Sequence, residues 1–438
     1  MIGRHIIGLM LATWSLSVRA QTSGDTPAEI QRHIQHVQAD LVPVLIGRVI
    51  TSNSRKHSLS ERMQALHVPG VSIAVIHDGA LEWAEGFGVT RIGGPPVTAQ
   101  TLFQAGSISK PVAALAALRL VQQGKLSLDA DVNSYLVDGK IPSSPIANGS
   151  PVTLRELLSH TGGINVHGFP GYAVDAPVPD LVQILDGARP ANTPPIHIET
   201  APGKEWKYSG GGYIIMQELI VDVTKEPFPE FVQDTVLAPI GMIQSTYQQP
   251  LSLGLQLLAA TPYGPDNTPI RGGAHTYPEM AAAGLWATPS DLARYGLEIV
   301  TSLRGQSNHV LSPEMTKQML TPGLGNWGLG IEIGGSSAKP YFKHGGVNAG
   351  FESILFVYEQ GGDGAVVMTN AQGGSILADE VMRSIATEYD WPDYRPIVLY
   401  SAKTVIYLIF AFILLSAIVA LVFKLLAALY SKFFAARH

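Results

Sequence analysis

Short strand-like runs stand at the two ends of this chain's long central region, and almost none lie between them. Near the start, Val71-Ser-Ile-Ala-Val-Ile76 and Leu81-Glu-Trp-Ala-Glu-Gly86 flank His77-Asp78-Gly79. β-branched and aromatic residues around an Asp-Gly pair predict a hairpin. Strand patterns return only late, at Gly328-Leu-Gly-Ile-Glu-Ile333, Ser353-Ile-Leu-Phe-Val-Tyr358 and Gly364-Ala-Val-Val-Met-Thr369. From about 127 to 307 the chain reads as helical pieces joined by Gly/Pro loops. This order predicts an α/β fold of the α+β kind: an antiparallel sheet flanked by helices, built from both ends of the domain, with a mostly helical subdomain inserted. With 46% hydrophobic residues the chain can fill such a core, and no internal repeat is visible.

Several helices can be placed. Ile30, Ile34, Val37 and Leu41 recur at helical spacing within Glu29–Val42, and Pro43 should end that helix. Lys110 to Gln123 is rich in Ala and Leu and stops at Gly124, which predicts a buried helix with Pro111 in its first turn. Thr153-Leu-Arg-Glu156 has capping-box spacing and opens a short helix to His160. A last helix is expected over Ser375–Tyr389.

The two ends carry a different message. Residues 1–20 combine Arg4, an apolar stretch from Ile6 and the site Val18-Arg19-Ala20, as in a cleaved secretory signal. Residues 404–423 run without a charge, enough to cross a hydrocarbon core of about 30 Å. A hydrolase-sized domain over 21–398, a membrane-spanning helix over 404–423 and a short cytoplasmic tail over 424–438 follow as expectations. The export signal would put the large domain outside the cytoplasmic membrane, on its periplasmic or extracellular face. The chain has no cysteine, which excludes disulfides, thiolate catalysis and Cys-bound zinc. A net charge of −6 offers no basic field for nucleic acid. No His-Glu-x-x-His and no Gly-x-Ser-x-Gly is present, so no metal or other cofactor is expected, nor an α/β-hydrolase elbow.

The chemistry is concentrated in Gly106-Ser-Ile-Ser-Lys110. Ser107 and Lys110 are three residues apart at the start of a helix, so Oγ and Nζ can meet on one face. A neutral lysine amine can then take the serine proton, and the helix start offers backbone N–H groups to an oxyanion. On spacing alone, a serine N-cap followed by a solvated lysine explains the pattern as well. A second Ser-x-x-Lys, Ser336-Ser-Ala-Lys339, lies in a Gly/Ser turn with no helix after it and reads as surface.

Other motifs line up in order with the first: Leu157-Leu-Ser-His-Thr-Gly162, Ala201-Pro-Gly203 leading to Tyr208-Ser209, Ala283-Gly-Leu-Trp-Ala-Thr-Pro-Ser-Asp291, Trp327-Gly-Leu-Gly330 and His344-Gly-Gly346. Together they make the chain similar to the serine β-lactamase and penicillin-binding-protein superfamily, in its class C β-lactamase-like group of esterases, D-aminopeptidases and D,D-peptidases. The resemblance spans about 68 to 369. It implies Ser107 as nucleophile, with Lys110 and Tyr208 moving the proton. It implies His344 and Gly346 on a strand bordering the site, with the Val347 N–H joining that of Ser107 at the oxyanion. His344 could orient substrate or assist proton transfer, or be a satisfied structural histidine. His160 and Thr161 read as a helix end. Trp206, Tyr213, Trp286 and Trp327 could line a pocket or fill the core.

One position departs from the group. Gly210 stands where the second motif, Tyr-x-Asn, has its amide, and the third motif has no lysine. Both favour an ester or small-amide substrate over efficient β-lactam turnover. The expected protein is therefore a membrane-anchored extracytoplasmic serine hydrolase acting through an acyl-enzyme on a small molecule or peptide. The alternatives are a penicillin-binding D,D-peptidase or D-aminopeptidase, a class C-like β-lactamase, and a non-catalytic sensor or scaffold with the same fold.

Overall fold

The computed structural model describes residues 24–43, 49–51, 55–394 and 397–399, with two isolated residues at 416 and 419. The expected signal segment 1–20, the tail 424–438 and all but two residues of the run 404–423 lie outside the described residues. Among the described residues no helix is long and apolar enough to cross a membrane.

The sheet has six strands: β1 (Gly70–His77), β2 (Ala80–Gly88), β3 (Glu332–Ser336), β4 (Lys339–Asn348), β5 (Phe351–Tyr358) and β6 (Gly364–Thr369). Their order is β2-β1-β6-β5-β4-β3, with every neighbouring pair antiparallel. The seam between the two ends of the domain is the β1–β6 pair, in register from Val71↔Thr369 to Ile76↔Gly364. Asp78 (φ 50°) and Gly79 (φ 73°) make the β1–β2 turn. Two positive φ angles match the twist of a tight hairpin, and Asp and Gly tolerate them.

The expected strand over 328–333 is displaced. Gly328 to Ile331 is instead a tight turn closed by Gly328 N–H to Ile331 O (2.8 Å), with Gly330 at φ 104°. Gly330 reverses the chain inside the apolar alternation of Leu329, Ile331 and Ile333, and β3 begins only at Glu332. A two-stranded ribbon, Phe103–Gln104 with Trp286–Ala287, links the first half of the domain to the helical region. It is too short to leave a periodic signal.

Alternation along the strands sends side chains to two cores. Val71, Ile73, Val75, Phe356 and Val367 pack with Ile34 and Val37 of α1 (Pro27–Ala39) and with Leu377, Val381 and Ile385 of α5 (Gly374–Glu388). Arg62 clamps Glu380 of α5 through two hydrogen bonds, Nε to Oε2 (2.7 Å) and a second N–H to Oε1 (2.8 Å). Ala74, Ile76, Leu355, Val357 and Val366 face the other way, into a core shared with α2 (Ser109–Gln122), α3 (Gly211–Thr224) and α4 (Pro289–Leu303). Coverage on both faces explains why β1 is buried along nearly its whole length. Helix α2 is buried on every face from Ser109 to Leu118, which its run of alanines permits, since small side chains let neighbouring elements approach from all sides. Its depth makes it a rigid mount for whatever stands at its N-terminus.

Candidate active site

Ser107 sits in a 3-10 turn, Gly106–Ile108, that runs directly into α2. Lys110 is one turn further, 2% exposed, and its Nζ donates to Ser107 Oγ (3.0 Å) and to Ala282 O (2.8 Å). The second bond fixes the amine against the short helix Met280–Ala283. Nζ also lies 5.0 Å from the centre of the Tyr208 ring and 5.6 Å from that of Tyr213. Tyr213 is fully buried and donates its hydroxyl to Leu158 O (3.0 Å), so it forms the floor below the amine.

The turn is braced by the next residue. Ser109 Oγ donates to Gly106 O (2.6 Å) and accepts from Leu285 N–H (2.9 Å), while Tyr247 hydroxyl donates to Ser109 O (2.6 Å). Gly106 has φ 53°, and a Cβ there would lie 2.5 Å from Val347 N. A Cβ on Gly346 would lie 2.0 Å from Ala105 O. Two glycines thus let the Ala105–Ser107 turn and β4 touch backbone to backbone, which brings the Val347 N–H beside the nucleophile turn.

Around this contact is a cavity of about 540 Å³. Its walls include Ser107, Lys110, Tyr208, Trp206, Trp327 and His344. A larger cavity, about 1070 Å³, lies between α1, the helix Leu59–Ala65 and the end of β2, and contains none of the motif residues. The chemistry therefore belongs to the smaller one.

Tyr208 is positioned by its neighbours rather than by its own segment alone. The His160 ring packs against it at a tilt, with ring centres 4.2 Å apart, and His160 Nδ1 accepts from Ser209 N–H (3.1 Å). Burial, followed by the Lys110 charge, holds His160 well below the usual histidine range, so it packs as a neutral ring. His344 is buried as well. Burial, then Lys110, pushes it down to about 3. Its Nδ1 is 2.6 Å from Gly345 O, which makes Nδ1 the protonated nitrogen and leaves Nε2 an acceptor with no protein partner among the described residues. The Trp327 indole N–H, on the same wall, is also buried without a protein partner among them.

All six residues expected at the site are thus brought together around one cavity or its backbone seam. Of the four aromatic residues left open, Trp206 and Trp327 line the cavity, Tyr213 lies beneath it, and Trp286 packs on Phe351 elsewhere. Ser336 and Lys339 bond only across the β3–β4 turn, where Lys339 N–H donates to Ser336 Oγ (3.2 Å). Sequence reasoning missed His167, Phe169 and Asn348, which also line the cavity. Asn348 donates to Gln104 Oε1 (2.9 Å) and Ala283 O (3.0 Å), contacts between segments far apart in the chain. Among the described residues two groups of possible metal ligands stand outside the cavity, Asp25 with His77 and Glu82, and His77 with Asp78 and Asp363. In the second, His77 and Asp363 are already paired at 3.1 Å.

A buried lysine thus donates to a serine hydroxyl at a helix start, close to a tyrosine ring and beside an extended strand. A sequence profile described as Beta-lactamase matches residues 56–386, and the chain belongs to that family. PbpX of Bacillus subtilis (strain 168) is 26% identical over 343 residues, covering 75% of this chain and 77% of that protein. Penicillin-binding protein 4 of Amycolatopsis lactamdurans is 25% identical over 352 residues, covering 75% of this chain and 88% of its own. The fold is shared with an octameric penicillin-binding protein homologue from Pyrococcus abyssi, at TM-score 0.62 and 24% identity over 75% of each chain.

Proposed function

We propose that this chain is an exported, membrane-anchored serine hydrolase that acts through an acyl-enzyme on a neutral ester or small amide. The observation that carries the reading is the Lys110 amine, buried and 3.0 Å from Ser107 Oγ at the floor of an open cavity. Ser107 Oγ attacks the substrate carbonyl and its proton passes to Lys110 Nζ. The carbonyl oxygen becomes an oxyanion between the N–H groups of Ser107 and Val347. Tyr208, beside the lysine, relays that proton from Lys110 to the leaving group as the tetrahedral intermediate collapses. Water then enters, gives its proton back along the same route and releases the acid.

The walls support a neutral substrate. Among the described lining residues Lys110 is the one lysine or arginine, and no carboxylate is present. The His344 imidazole is neutral and supplies an acceptor at Nε2, not a charge for a substrate carboxylate. Export and anchoring rest on the sequence of residues 1–20 and 404–423.

The test is hydrolysis of p-nitrophenyl acetate and butyrate by the detergent-solubilised chain and its Ser107→Ala variant. The parent should turn over both, and Ser107→Ala should lose the activity. Equal activity in the two proteins would sink the assignment. The names of the relatives favour a second reading, a penicillin-binding peptidase, which predicts stable labelling of Ser107 by a fluorescent penicillin.

A further inference from the structure

The loop Asn165–Phe169 reaches the cavity in a strained conformation. Val166 has φ 61°, costly for a β-branched side chain. Such an outlier persists only where its surroundings hold it. Here the segment after Tyr208 does so: Ser209 Oγ donates to Asn165 O (2.9 Å), Gly211 N–H to Val166 O (3.0 Å) and Gly210 N–H to His167 O (3.0 Å). Asn165 is fixed from the other side, accepting from His197 N–H (2.8 Å) and donating to Pro195 O (2.9 Å).

The consequence falls on Phe169. A Cβ on Gly210 would stand 2.8 Å from Phe169 Cε2 and 3.1 Å from His167 O. The phenyl ring therefore fills the volume that a side chain at 210 would enter, and it does so on the wall of the cavity that holds Ser107 and Tyr208. At this point a substrate meets the aromatic ring, and the polar atom beside it, His167 O, already accepts from Gly210 N–H.

We infer that Phe169, held over Gly210 by the strained Val166 loop, is a specificity-determining residue that selects apolar acyl groups and rejects acyl groups carrying an amide. An amide pressed against the ring loses water without gaining a partner, whereas a methylene chain loses nothing by that contact. The inference rests on Ser107 being the nucleophile.

The test compares kcat/KM of the full chain in detergent for p-nitrophenyl butyrate and for the p-nitrophenyl ester of N-acetylglycine. The parent should favour butyrate. Phe169→Ala should lower that preference about tenfold, the size of effect that one pocket contact carries. Phe169→Ala combined with Gly210→Asn should lower it further, because the added amide then has room and can pair with the substrate. Gly210→Asn alone should cost activity on both esters, since ring and side chain claim the same space. If Phe169→Ala does not fold, Phe169→Gln carries the same comparison. A preference within twofold of the parent in the folded Phe169 variant overturns the inference. Ser107→Ala, run alongside, separates the two claims: if it is inactive while the preference is unchanged, only the role of Phe169 fails. If it is as active as the parent, the hydrolase reading fails too.

Discussion

Gly346→Ala tests whether the backbone seam between β4 and the nucleophile turn is what the chemistry depends on. The new Cβ would lie 2.0 Å from Ala105 O and 2.4 Å from Ser353 Oγ. Ordinary contact begins at 3.4 Å, so β4 or the turn must retreat by about 1.4 Å. Ser353 cannot absorb this by rotating freely, because its Oγ donates to the same Ala105 O (2.9 Å). A retreat of that size carries the Val347 N–H away from the oxyanion. Misplacement by about 1 Å costs on the order of a hundredfold in rate, and loss of one oxyanion donor about 10²–10³. The neighbouring Gly345→Ala is the control: its Cβ meets only Ser353 O at 3.9 Å. Steady-state hydrolysis of p-nitrophenyl butyrate, with thermal melts to confirm folding, should show a loss of about a hundredfold or more in Gly346→Ala and about threefold or less in Gly345→Ala. Equal rates in the two variants would refute the argument.

Lys110→Met keeps the volume of the buried side chain and removes the base, so kcat/KM should fall about a thousandfold while the protein stays folded by circular dichroism. Ser109→Ala strips the acceptor from the buried Leu285 N–H and should cost about 1–3 kcal/mol in urea unfolding. His77 is raised from 6.5 to about 9, first by its hydrogen bond to Asp363 and against the cost of burial. The folded state keeps a proton that the unfolded state releases, so this contribution is complete below pH 6.5 and disappears as pH rises through 9. Urea midpoints of the parent and of His77→Gln should converge across that window. His344 has the opposite sign. Its pKa is depressed to about 3, so stability should fall as pH drops from 6.5 toward 3, and His344→Gln should flatten that slope.

Much of this protein was legible because it is local. Ser107 and Lys110 stand within one helical turn, so their spacing permits the contact, and the ordered motifs downstream favoured it over a capping serine with a solvated lysine. Asp78 and Gly79 specify their hairpin, and Thr153 and Glu156 form their capping box, through contacts two or three residues apart. The ordered motifs placed Tyr208 and His344 at the site, and the apolar pattern of β1 and β6 announced the sheet. The displaced strand at 328–333 shows the limit even for local signals, since Gly330 turns the chain inside an alternating pattern.

What the sequence did not contain was which surfaces meet. Nothing in Gly106, Gly346 or Gly210 says that one faces β4, another faces Ala105 and the third faces Phe169. Those facts arise where segments 240 or 40 residues apart pack together. The neutral state of His344 was equally invisible, because it follows from burial beside Lys110 and not from the residues on either side. The order of the chain determined that a serine and a lysine would share a helix start. Only tertiary packing decided what stands across from them, because close packing is set by the shape of the whole core and not by any one stretch of it.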